Sequence, residues 1–325
     1  MVGRMAVVSD TGRRRRRNED AFVCAPPLFA VADGMGGAQA GEVASGLAAA
    51  VLEEGAGDER GEERVASLIK EANRRVFQRS NEDATTSGMG TTMTVALVDS
   101  SGGTIAFGHV GDSRAYRVRD GQLEQLTDDH SLVGELVRSG KLSPEEAEVH
   151  PQRSVITRAL GTEPDVDVDT FTVEAQPDDL YLLCSDGLTD MISADEIFSV
   201  LDGSDDLEVA ARALIEAANA GGGEDNITVV LFQIGDRGEI ERTAQMPVAV
   251  EPERVEDDED TLSGLDPVPV VDTAVIPAAV VEEHMQRVDG EQPSRPEPRR
   301  RILPLIVLVL LIVALIVLAA WGLSR

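Results

Sequence analysis

The sequence predicts an α+β domain of antiparallel strands and helices, an acidic tether, and one C-terminal transmembrane helix. Three observations carry this reading. Short apolar runs alternate with amphipathic stretches over residues 1–235, periodicity disappears over 236–301, and residues 302–323 carry no charge. A length of 325 residues fits one ordinary domain with further segments, and 42% hydrophobic residues suffice for a real core.

Within the first segment, apolar runs predict strands at 5–9, 28–32, 92–98, 104–110, 115–119, 166–173, 180–184 and 227–233. Spacings of three and four predict helices at 41–54, 62–79, 131–139, 194–201 and 207–220. Ser143-Pro144-Glu145-Glu146 places Ser, Pro and Glu where an N-cap, a first helical position and a capping box require them. Strands come in neighbouring groups joined by turns such as Asp120-Gly121, which favours hairpins over a repeated βαβ order.

Residues 236–301 are rich in Glu, Asp, Pro and Val and read as a disordered linker. A flexible chain of that length reaches about 45 Å root-mean-square, from about 5–6 Å times the square root of residue number. Residues 302–323 as a helix span about 33 Å at ~1.5 Å per residue, enough for a ~30 Å hydrocarbon core. Arg299, Arg300 and Arg301 precede that stretch, and only Ser324 and Arg325 follow it as a short extracytoplasmic tail. The positive-inside tendency then expects the N-terminal body, residues 1–235, in the cytoplasm, on a single-pass membrane protein. Trp321 falls at the far interface.

A net charge of −30 disfavours nucleic acid as a partner, because phosphate backbones need a basic surface. Two cysteines, Cys24 and Cys184, lie in strand-like runs, so a reducing compartment fits better than a disulfide framework. No secretory signal is expected at the N-terminus. The four histidines are scattered and show no zinc spacing.

One pattern points to chemistry. Apolar runs stop at Asp33-Gly34, at Gly111-Asp112 and at Asp186-Gly187, while Asp20 and Asp225 stand just before two others. Each alone reads as a turn. Together they are carboxylates at strand ends, held well enough to converge, and such a cluster needs a cation to offset its repulsion. Oxygen-only ligands select Mg²⁺, Mn²⁺ or Ca²⁺ over zinc or copper. Two such ions sharing a carboxylate and a water support hydrolysis of a phosphate ester, although nucleases also use such sites. Gly34 would let its backbone carbonyl approach a metal closely. Among residues 13–17, all arginine, one directed at the cluster would grip a phosphate bidentately; the residues alone do not say which.

The motifs resemble those of the metal-dependent protein serine/threonine phosphatases of type 2C, in their bacterial form. The matching stretches run in order from Ser9-Asp10-Thr11-Gly12 and Asn18-Glu19-Asp20 through Asp33-Gly34-Met35-Gly36-Gly37 and Met89-Gly90-Thr91-Thr92. They continue with Gly108-His109-Val110-Gly111-Asp112-Ser113-Arg114, Leu126-Thr127-Asp128-Asp129-His130-Ser131, Ser185-Asp186-Gly187-Leu188 and Glu224-Asp225-Asn226-Ile227-Thr228. The resemblance implies an αββα sandwich of two antiparallel sheets flanked by helices. It implies that Asp33 bridges two Mn²⁺ or Mg²⁺ ions, with the Gly34 carbonyl, Asp186 and Asp225 completing the ligands. By the same resemblance Asp112 joins Asp186 at a third-metal site, Glu19 and Asp20 hold metal-bound waters, and Arg15 binds the phosphate. Residues 130–153 match a mobile flap beside the site. Met35 stands where some members carry a proton-donating His, and a thioether donates no proton. His109 and His130 read more economically as structural. The implied partners are phosphorylated Ser/Thr proteins, among them a membrane Ser/Thr kinase.

Overall fold

The computed structural model describes residues 2–235, apart from 37–39, 56, 58 and 102, together with residues 274–275. The linker over 236–301, the transmembrane helix over 302–323 and the tail lie outside the described residues, apart from one two-residue strand. Among the described residues no helix is long and apolar enough to cross a membrane.

Two antiparallel sheets form the centre. The strands of the first are β1 (Val2–Asp10), β12 (Ile227–Ile234), β11 (Leu180–Cys184), β7 (Arg114–Arg119) and β8 (Gln122–Gln125), in that order. The second runs β10 (Asp169–Glu174), β6 (Thr104–Val110), β5 (Met93–Asp99), β3 (Leu28–Met35) and β2 (Asp20–Ala25), and a short β4 (Gly90–Thr91) pairs with β3. Helices α1 (Ala40–Glu54) and α2 (Glu62–Glu82) cover the second sheet. Helices α5 (Asp186–Thr189), α6 (Ala194–Asp202) and α7 (Leu207–Gly221) cover the first. The implied αββα sandwich is present.

The period of two explains why these strands are apolar throughout. In β12, Ile227, Val229 and Leu231 face the helices, while Val230, Phe232 and Ile234 face the other sheet. In β3, Leu28, Ala30 and Ala32 face α1 and α2, while Phe29 and Val31 point between the sheets. A strand buried on both faces shows no polar alternation, so its sequence reads as a continuous apolar run. Phe29 and Phe232 stack across the sheet interface with centroids 4.1 Å apart.

Most predicted elements appear where expected. The strand expected over 166–173 instead begins at Asp169: Val166 and Val168 pack against the α1–α2 core outside any strand, and only 169–174 pairs with β6. Strand β8 was not anticipated: its four residues are largely exposed and carry no apolar run. The flap contains α3 (Leu132–Arg138), capped by Ser131, and α4 (Pro144–Glu148), where the capping box at Ser143 forms. It ends in a short β9 (Val155–Ile156), which pairs in parallel with β13 (Ala274–Val275).

The inter-sheet core carries the fold's stability, so Phe232→Ala should destabilise the domain by about 3–5 kcal/mol, as expected for truncating a buried aromatic. Chemical denaturation followed by circular dichroism measures this; a loss below ~1 kcal/mol would remove the Phe29–Phe232 stack from its central place.

Candidate active site

Register brings the first two carboxylates together. Asp20 opens β2 directly opposite Asp33 near the end of β3. Asp33 is fixed by its backbone: its N–H donates to Thr92 Oγ1 at 3.0 Å, and its carbonyl accepts from Thr92 N at 2.9 Å and Thr91 Oγ1 at 2.8 Å. Gly34 meets a further demand. Its N–H donates to the Glu19 carbonyl at 3.1 Å, and a β-carbon there would lie 2.2 Å from the Gly41 carbonyl. Only glycine lets β3 and the start of α1 approach so closely.

The other carboxylates arrive from the first sheet. Asp186 follows β11 at the first turn of α5, and Asp225 immediately precedes Asn226 and β12. Asn226 ties that loop to the arginine-rich segment: its side-chain amide donates to the carbonyls of Thr11 and Arg17, at 2.9 and 2.8 Å, and its Oδ1 accepts from Glu19 N. Of the arginines at 13–17, Arg15 reaches the cluster, its Nη2 donating to Asp225 Oδ2 at 2.8 Å. Asp20 Oδ2 accepts from Ser185 Oγ at 2.8 Å and Thr228 Oγ1 at 2.6 Å. Thr228 on β12 and Ser185 just after β11 thus hold a carboxylate that belongs to the other sheet.

Electrostatics show that these groups are near neighbours. Burial, then the charges of Asp20, Asp186, Asp225 and Asp112, hold the Asp33 carboxyl well above its ordinary range. Burial and the charges of Asp112, Asp190 and Asp225 do the same to Asp186. Asp20 is pushed up to about 7, mainly by burial, with its two hydroxyl donors acting in the opposite direction. Asp112 also rises to about 7, from burial and from the charges of Asp129 and Asp190. Among the described residues no three His, Cys, Asp or Glu side chains are already closed into a cage for an ion. The cluster nonetheless fits a hard divalent cation: it is all oxygen, its charges repel, and Asp20 Oδ1 and Asp186 Oδ1 are buried with no hydrogen-bond partner.

Sequence reading named Asp20, Asp33, Asp112, Asp186, Asp225 and Arg15, and the fold brings all six into this neighbourhood. Glu19 joins through its backbone, which bonds Asn226, Gly34 and Ser45. The supporting parts played by Ser185, Thr228, Asn226 and Gly41, and the presence of Asp190, were not foreseen. Asp190 stands four residues after Asp186, on the same turn of chain, and that spacing was the signal available in the sequence. Met35 packs with Ile156 and Ala159 and supplies no proton.

A two-sheet sandwich with an all-oxygen carboxylate cluster and a guanidinium at its edge defines a metal-dependent hydrolase of phosphate esters. A family model described as protein phosphatase 2C matches residues 13–220. The serine/threonine phosphatase stp of Listeria monocytogenes serotype 4b is 42% identical over 237 residues, covering 69% of this chain and 93% of that protein. The serine/threonine protein phosphatase PstP of Mycobacterium tuberculosis is 44% identical over 239 residues, covering 73% of this chain and 46% of that one. A crystal structure of the PstP catalytic domain in complex with two manganese ions superposes with a TM-score of 0.67 at 39% identity, covering 72% of this chain and 99% of that one. The chain belongs to the protein phosphatase 2C family, the metal-dependent protein serine/threonine phosphatases.

The raised carboxyl groups have a thermodynamic consequence. Between pH 6.5 and 8 the unfolded chain has already released these protons while the folded site retains part of them, so stability falls as pH rises. Buried His109 and His130, both held below their ordinary range, act oppositely as the unfolded histidines titrate, a contribution that fades through the lower part of this window and is outweighed by the carboxyls. The melting temperature of EDTA-treated protein should therefore drop across pH 6.5–8, and Mn²⁺ should abolish the drop. A flat profile without metal would contradict the carboxylate cluster.

Proposed function

We propose that Asp33, the Gly34 carbonyl, Asp186 and Asp225 hold two Mn²⁺ or Mg²⁺ ions, and that Asp112 with Asp186 holds a third. The observation that carries this reading is Asp33, flanked by four other carboxylates whose charges all raise its pKa. The two manganese ions of the similar PstP domain support it. Bound there, paired divalent ions neutralise phosphoryl oxygens and lower the pKa of a water for in-line attack on phosphorus.

The chain's own residues supply the remainder. Arg15, with Asp225 at 2.8 Å, stands at the cluster's edge and offers a planar fork to the phosphate of phosphoserine or phosphothreonine. Asp20, fixed by Ser185 and Thr228, and Glu19, fixed through its backbone by Asn226, orient water around the ions. No covalent phosphoenzyme is needed, and the cysteines are unsuited to form one. Both are buried in strands, and burial pushes each thiol up to about 12, where it stays protonated and weakly nucleophilic.

We further propose, from the sequence alone, that this domain is held at a membrane. Residues 302–323 form a single-pass anchor, residues 236–301 the tether, and residues 1–235 the catalytic domain on the cytoplasmic side. Such anchoring raises the effective concentration of phosphoproteins on the same surface, membrane Ser/Thr kinases among them. The uncharged stretch after three arginines supports this reading.

Asp33→Ala should abolish Mn²⁺-dependent hydrolysis of p-nitrophenyl phosphate and of phosphothreonine peptides while circular dichroism stays unchanged. Turnover surviving in that variant would reject the bridging assignment. In membrane fractionation the full chain should sediment with vesicles, whereas a chain ending at residue 301 should stay in the supernatant with its peptide activity intact. Sedimentation of the truncated chain would rule out the anchor.

A further inference from the structure

His130 is buried, has partners on both ring nitrogens, and takes no part in the chemistry above. Its surroundings give it a specific task. The Gly111 N–H donates to His130 Nδ1 at 3.1 Å, and an amide can only donate, so Nδ1 carries no proton. The ring proton of the neutral imidazole is then assigned to Nε2, which faces both Asp169 Oδ2 on β10 and Arg158 Nη1, each at 3.1 Å; the carboxylate is its acceptor, since the guanidinium can only donate. Arg158 Nη1 holds the same carboxylate at 2.5 Å through Oδ1. The backbone of His130 works in two further directions. Its N–H donates to the Gly111 carbonyl at 2.7 Å, and its carbonyl accepts from Thr157 N at 2.8 Å.

These bonds join two places that matter. Gly111 precedes Asp112 and lies at φ +113°, where a β-carbon would strike Thr92 at 2.6 Å. On the other side of Asp112, Ser113 Oγ bonds Thr92 Oγ1 at 2.7 Å, and the Ser113 carbonyl accepts from Thr94 Oγ1 at 2.8 Å. Thr92 is the residue that also fixes Asp33. Meanwhile His130 is the last residue before Ser131, the N-cap of the flap's first helix, and Thr157 directly follows β9 at the flap's end. Ser131 and Ile156 themselves form a bridge. The two residues before His130 are tied to β6 and β7, the strands on either side of the Asp112 turn: His109 Nε2 reaches the Asp128 carbonyl at 3.1 Å, and Arg114 pairs with Asp129 at 2.7 Å.

We propose that His130 is a positioning residue that couples both ends of the flap to the Asp112 turn, so that flap order and occupancy of the Asp112 site rise and fall together. This inference rests on the assignment of Asp112 as a metal ligand. The acceptor at Nδ1 does the work on the site side, the backbone does it on the flap side, and Asp169 with Arg158 fixes the ring between them.

The test uses the full chain, with manganese itself as the probe. In calorimetric Mn²⁺ titrations, His130→Ala should weaken the loosest-bound ion by about tenfold, the scale seen for partners of metal ligands, and leave the tighter ions unchanged. Hydrogen exchange should speed up together at Gly111, Ser131 and Thr157. His130→Asn, whose Oδ1 can replace the Nδ1 acceptor, should restore both readings, and His130→Gln, which reaches Asp169 without that acceptor, should not. Asp169→Asn, a milder change outside the site, should produce a smaller shift of the same sign if His130→Ala fails to fold. Faster exchange at Ser131 and Thr157 with Gly111 and the titration unmoved would overturn the coupling. Asp112→Ala separates the two levels. If it removes the loosest ion while the His130 variants do not, only the coupling fails; if it changes no manganese binding, the assignment of Asp112 fails and the coupling with it.

Discussion

Mutual repulsion among carboxylates is the constraint around which this molecule is organised. Asp20, Asp112, Asp186 and Asp225 all stand close enough to Asp33 for their charges to raise its pKa. Nothing about such a cluster is self-assembling. It persists because each member is attached to backbone that has an independent reason to be where it is. Asp20 and Asp33 face each other because β2 and β3 pair in one register, and a slip of one residue would turn every side chain to the opposite face. Asp186 and Asp225 are delivered by neighbouring strands of the other sheet, β11 and β12.

The apolar core therefore acts on function at a distance. Phe29, Phe107, Tyr181 and Phe232 fill the space between the sheets and fix how they sit on each other. That placement lets Ser185 and Thr228, from the first sheet, donate to Asp20 on the second. A hydroxyl and a carboxylate 2.6–2.8 Å apart tolerate little sliding of one sheet over the other. Packing of aromatic rings and geometry of the acidic site are in this sense one constraint seen from two ends.

Much of this was legible in the amino-acid order, for identifiable reasons. Strands such as 104–110 and 180–184 are buried on both faces, so their apolar runs are unbroken and their ends sharp. The carboxylates were visible because each marks the start or the end of such a run. What stayed hidden depends on register between distant segments. That Asn226 holds the carbonyls of Thr11 and Arg17 is a statement about residues 215 and 209 positions away, and that Gly34 must pass the Gly41 backbone depends on how β3 meets α1; no local pattern encodes either. Strand β8 escaped because an exposed edge strand needs no apolar period. The choice of Arg15 among five arginines came from the family resemblance, and its contact with Asp225 gives that choice a physical basis.

The histidines show how a structural reading and a functional one can coincide. His109 and His130 pack with ring centroids 4.7 Å apart, both buried and both below their ordinary pKa, so neither is a ready acid at neutral pH. By the usual criteria they are structural. Yet the structure they maintain is the turn carrying Asp112 and the base of the flap. In a site made of repelling charges, any group that fixes backbone next to a carboxylate bears on how strongly that carboxylate holds a cation, because the ligand geometry is otherwise free to relax. The distinction between scaffold and active site then depends on distance from the charge cluster more than on residue chemistry, and Gly111, Thr92 and His130 fall on the near side of it.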